Sequence, residues 1–141
     1  MITRPELSVQ IFAPYPPSLN TLYPTVGNRR ILSKAATRYK NDLGWQFRRR
    51  YAGFQIVKDQ DLFCIIELIP KDNRRRDIDN VAKIILDSFT GLIYEDDSQI
   101  KKLMIIKSLP DETPGAIIHF GQIDNFEEYA KNPSKASRFD F

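Results

Sequence analysis

Asp77 and Asp79 stand two residues apart in the stretch RRRDIDNVAK, with Arg74, Arg75 and Arg76 before them and Lys83 one helical turn after Asp79. Carboxylates are hard oxygen ligands, and Asp96 and Asp97 supply two more from a second segment further along the chain. Three such oxygens drawn from two segments, with room left for waters and a phosphate, match what Mg²⁺ requires. A metal held there could activate a water and stabilise negative charge on a phosphodiester. Lys83 falls on the same helical face as Asp79, where it could meet the phosphate or the developing charge. Lys71 and the three arginines would grip a nucleic-acid backbone without reading its sequence.

Each of these features also has an ordinary structural reading. Asp77 is placed to cap a helix, and Asp79 is a favourable first-turn charge. Asp79 and Lys83 form an i, i+4 pair worth a few tenths of a kcal/mol. An arginine run is a common solvated loop, and EDD before a strand is a common turn. What raises the chemical reading is their convergence on one face.

The elements that would carry these residues follow from periodicity. ELSVQIFA alternates Leu7, Val9 and Ile11 with Glu6, Ser8 and Gln10, the pattern of a strand with one wet face. Four prolines between Pro14 and Pro24 then forbid regular structure, and Gly27-Asn28 marks a turn before a short extended piece. A helix is predicted from Ser33 onward, with Ala36, Tyr39, Leu43, Trp45, Phe47 and Tyr51 roughly on one face and Gly53 as its stop. Gly44 sits awkwardly in the middle of that helix. Asp61 to Ile69 is apolar at nearly every position, as a strand buried on both sides would be.

A second helix follows the charged loop and ends at Gly91. Its Ile78, Val81, Ala82, Ile85 and Phe89 share one side, with Asp79, Asn80, Lys83 and Asp87 on the other. SQIKKLMIIKS and GAIIHF are the third and fourth strands, joined by the PDETPG turn. The order β-α-β-α-β-β predicts a single compact α/β domain over residues 1–123, a mixed four-stranded sheet with helices packed on it. Residues 124–141 have no clear period and read as a loosely held tail. If the third strand pairs beside the second, its start returns toward Asp77 and Asp79.

Composition narrows the function classes. A chain of 141 residues with 42% hydrophobic and 11% aromatic residues is globular and long enough for one core. The formal net charge of +3 permits a polyanionic partner. With one cysteine, Cys64, there is no intramolecular disulfide and no Cys-based zinc site. One histidine, His119, on a predicted strand leaves no nucleophile–base dyad for hydrolase chemistry of the serine or cysteine type. There is no run of eighteen apolar residues and no apolar h-region at the N-terminus, so a cytoplasmic protein without membrane association is expected. Trp45, Phe47 and Tyr51 read as core; Tyr15 and Tyr23 in the proline-rich loop are better placed to touch unpaired bases.

The stretch RRRDIDNVAKIILDSFTGLIYEDDSQI also resembles the signature of the RusA-like Holliday junction resolvases. PPSLN upstream, Pro16 to Asn20, and GNRRILS before a Tyr-containing helix are similar to the same family, so the resemblance spans about residues 8 to 120. It implies a Mg²⁺-dependent crossover junction endodeoxyribonuclease, a phosphodiester hydrolase of recombination and repair common in prophages, with Mn²⁺ as a substitute metal. It implies the acidic triad Asp77, Asp79 and Asp97, the lysine Lys83, the preceding Arg76, and Asn20 and Asn80 as motif positions that are structural or DNA-facing. The residues themselves leave Asp96 and Asp97 unresolved; the family pattern picks Asp97. A homodimer that nicks two strands of like polarity on branched DNA, with no small-molecule cofactor, is implied too. Two competing readings are a DNA-binding dimer that does not cut and a metal-dependent nucleotide-sugar transferase. The first gains nothing from carboxylates that repel phosphate, and the second lacks a Gly-rich phosphate loop.

Overall fold

The computed structural model describes residues 7–17, 25–26, 29–30, 34–72 and 79–131. The elements are β1 (Ser8–Ala13), β2 (Thr25–Val26), β3 (Arg29–Arg30), α1 (Lys34–Arg50), β4 (Leu62–Ile69), α2 (Asp79–Phe89), β5 (Ile100–Lys107), β6 (Gly115–Gln122) and α3 (Phe126–Ala130). Short 3₁₀ turns over Asp97–Gln99 and Ile123–Asn125 lead into β5 and α3. β2 and β3 pair antiparallel as a small second sheet, and the expected Gly27-Asn28 turn lies outside the described residues.

The main sheet has the order β1-β6-β4-β5. β4 runs antiparallel to β6 and parallel to β5, and β1 is antiparallel to β6, so the sheet is mixed as the sequence predicts. A parallel neighbour cannot be reached by a hairpin, and α2 supplies the crossover between β4 and β5. β4 is the central strand of its half and all eight of its residues are buried, which is why its sequence has no polar alternation. β1 does alternate, with Val9, Ile11 and Ala13 buried.

α1 and α2 cover one face of the sheet. Ala36, Tyr39, Leu43 and Phe47 of α1 pack with Val81, Ala82, Ile84, Ile85 and Phe89 of α2 over Cys64, Ile66, Leu68, Ile118 and Phe120. Gly53 and Gly91, both at positive φ, turn the chain after the two helices. Gly44 lies where α1 meets the segment after α2: a β-carbon there would sit 3.3 Å from Arg48 Nη1 and 3.7 Å from Leu92. The awkward mid-helix glycine is therefore a point of close approach.

Two readings of the sequence are changed. Trp45 does not share the core face of α1. It follows Leu43 by two residues, about 200° around the helix, and is 67% exposed. From Asp124 to Lys131, where the sequence has no period, α3 folds onto the opposite face of the sheet. Phe126 and Tyr129 pack there against Phe63, and Tyr129 meets the His119 ring edge-on at 4.3 Å. The pattern was hidden because a helix of five residues shows barely one turn of periodicity. Residues 132–141 lie outside those described.

Candidate active site

The candidate residues are carried by α2 and by the loop that links it to β5. Asp79 and Asn80 are the first residues of α2, which presents Lys83 to solvent and leaves Asp87 half-buried. Asp79, Lys83 and Asp87 follow one another at intervals of four, so they form a stripe with a rise of about 6 Å per step. Asp96 and Asp97 are both exposed, at the start of the 3₁₀ turn before β5. Because β5 lies beside β4, that turn is held against the segment that precedes β4.

Gln99 does most of the holding. Its side-chain oxygen accepts from the backbone N–H of Glu95 at 2.9 Å and of Asp96 at 3.3 Å. Its amide nitrogen donates to the carbonyls of Val57 at 3.1 Å and Gln60 at 3.2 Å. One side chain thus ties the EDDS loop to the chain entering β4. In sequence Gln99 is only the last residue of the family-like Asp-Asp-Ser-Gln element, yet its position three residues after Asp96 is the spacing of a capping box. Asp96 accepts a hydrogen bond from the Ser98 side chain and others from backbone N–H groups, and its carboxyl is held below the usual range.

Tyr94 links the loop to the helix. Its hydroxyl donates to the Leu86 carbonyl at 2.6 Å, and the residue is fully buried. Burial raises the phenol well above its ordinary value, and the negative charges of Asp97 and Asp87 raise it further. The loop carboxylate Asp97 and the helix carboxylate Asp87 therefore both act on one buried hydroxyl. Tyr94 stays protonated and fixes the loop to the last turn of α2.

Among the described residues, the metal-binding donors of this region are hard oxygens. The soft and borderline donors are elsewhere: Cys64 is completely buried beneath the helices, and His119 lies on the far face of the sheet under α3. That set would suit Mg²⁺ or Mn²⁺. Among the described residues, no group of three His, Cys, Asp or Glu side chains is arranged to hold a metal ion. Asp77, Arg74, Arg75, Arg76, Asn20 and Tyr23 fall outside the described residues, and Asp79 and Asn80 are described in backbone only. Lys71 is exposed just after β4, and Tyr15 is packed half-buried against the core.

The βαβ crossover thus puts carboxylates on the crossover helix and at the start of the next strand, a placement of oxygen donors that metal-assisted phosphodiester chemistry would need. Comparison with known proteins gives the family. Residues 14–120 match the family model described as endodeoxyribonuclease RusA. The chain is also 34% identical over 107 residues to the crossover junction endodeoxyribonuclease rusA of Enterobacteria phage HK97, covering 75% of this chain and 86% of that protein. The chain belongs to the endodeoxyribonuclease RusA family and is a nuclease.

Proposed function

We propose that the protein resolves four-way (Holliday) DNA junctions by paired symmetric nicks, as a homodimer, with Mg²⁺ held by Asp77, Asp79 and Asp97. The observation that carries this reading is the pairing of two things. The match to a junction endonuclease covers the motif from end to end, and the structure fastens Asp97's loop to the end of the helix that begins with Asp79. Mn²⁺ is the natural substitute, because it takes the same oxygen ligands. When bound, the metal supplies an activated water and a positive centre beside the scissile phosphate.

The chain's own groups do the remainder. Arg74, Arg75, Arg76 and Lys71 attract the DNA backbone to the end of β4, and Asn20 contributes a polar contact. Lys83, exposed one turn into α2, sets a positive charge beside Asp79 where the phosphate acquires negative charge. Gln99 and Tyr94 keep the Asp97 loop in place. The setting is DNA recombination and repair in the cytoplasm, in a host or a phage pathway; among the described residues no helix is long and apolar enough to cross a membrane.

The test is a labelled synthetic junction cut in Mg²⁺ by wild type and Asp79→Asn. Paired symmetric nicks by wild type, lost in chelator, together with a variant that binds but does not cut, support the reading. If both proteins bind and neither cuts with any divalent cation, the family's chemistry has been lost in this chain and a binding role replaces it.

A further inference from the structure

The exposed face of α1 has no part in the site described above. The helix carries Lys34, Arg38, Lys40, Arg48, Arg49 and Arg50 against the single carboxylate Asp42. That is a surplus of five positive charges in a chain whose whole surplus is three, so the rest of the protein is net acidic. Trp45 lies among these cations, with Arg48 and Arg49 three and four residues on, and it is 67% exposed. An indole left so open to water is uncommon, since Trp is on average highly buried.

Beside it runs an open groove of about 530 Å³. Lys40, Trp45 and Arg48 line one wall; Asp87, Thr90 and Leu92, at the end of α2, line the other. Asp87 also belongs to the stripe of Asp79 and Lys83, so the groove opens next to the candidate site. Positive charge alone would mark a surface for any polyanion. A flat aromatic face between cations adds a preference for a polyanion that carries bases, because every base offers a π-face to stack while the cations meet its phosphates.

We propose that this groove is a nucleotide subsite for branched DNA, in which an unpaired base at the junction stacks on Trp45 while Lys40 and Arg48 hold the flanking phosphates. The inference rests on the junction-nuclease reading and adds a surface to it. The acid in the groove, Asp87, sits on the wall toward the catalytic stripe, so the phosphates lie against α1.

Trp45 is the sole tryptophan of the chain, so its intrinsic emission reports on this groove alone. The experiment titrates the full-length protein with an unlabelled four-way junction in chelator, following tryptophan fluorescence, and measures affinity in parallel by anisotropy of a labelled junction. Expected are substantial quenching at saturation, a junction affinity about tenfold weaker for Trp45→Ala, and near wild-type affinity for Trp45→Phe. Heparin, a polyanion without bases, should bind with little quenching. Saturable junction binding with unchanged emission, or Trp45→Ala binding like wild type, overturns the subsite while leaving the nuclease reading intact. Absence of junction binding by anisotropy overturns both.

Discussion

The side-chain amide nitrogen of Gln99 donates to the Val57 carbonyl at 3.1 Å, across 42 positions of sequence. This bond and its companion to Gln60 join the loop that carries Asp97 to the strand entry it must stay beside. Gln99→Ala removes all four contacts of the side chain, and a stability loss of about 1–2 kcal/mol is expected. If Gln99 positions the loop, the Mg²⁺ concentration for half-maximal cutting rises several-fold while junction affinity in chelator is unchanged. Gln99→Glu keeps the acceptor contacts and loses both donor contacts, so it should fall between. An unchanged Mg²⁺ dependence in Gln99→Ala would reduce the residue to a purely structural role.

His119 gives a pH dependence to stability. It is buried, lies 3.1 Å from the Ser8 hydroxyl and packs between Phe63 and Tyr129. Burial pulls its pKa down to about 4. The unfolded chain, with an ordinary imidazole near 6.5, therefore binds a proton more readily than the native state does. Stability from this group is complete above pH 6.5 and falls as the pH drops from there toward 4. The loss is on the order of 2–3 kcal/mol. Chemical denaturation of wild type and His119→Gln at pH 7 and pH 5 checks it: the difference between the two pH values should shrink in the variant.

Gly121 is required by close approach. A β-carbon at this position would fall 2.5 Å from the ring of Phe63, which is fully buried beneath α3. Gly121→Ala should therefore cost about 1–3 kcal/mol, since the ring has no free space to enter. Thermal unfolding measures this directly. A variant as stable as wild type would mean that Phe63 and α3 can shift together at little cost.

The strands and main helices were legible in sequence because their burial is set by local pattern. β4 is apolar at every position but Glu67, whose carboxylate accepts from the Ser108 hydroxyl, because the sheet is covered on both sides of it, and β1 alternates because only one of its faces is fully covered. Where local pattern and angle disagreed, the angle decided. Trp45 looked like core by composition, but its position 200° from Leu43 puts it outside. Ile84, absent from the expected core stripe of α2, is buried because that helix is covered by α1 as well as by the sheet. The carboxylates were legible as types at a spacing. The local contacts of Gln99 to Glu95 and Asp96 follow from capping-box spacing, but sequence could not supply the long-range tether, since Gln99 and Tyr94 donate to the backbone carbonyls of Val57, Gln60 and Leu86, which have no identity in a sequence.

Cys64 is the only cysteine, it is fully buried in the central strand, and burial pushes its thiol up. A thiolate is the form that reacts, and here it is neither populated nor reachable. The folded protein is thus a ready host for site-directed labelling. A cysteine introduced at any exposed position of α1 would be the single point of attachment for a fluorophore or spin probe, without first engineering a native thiol away.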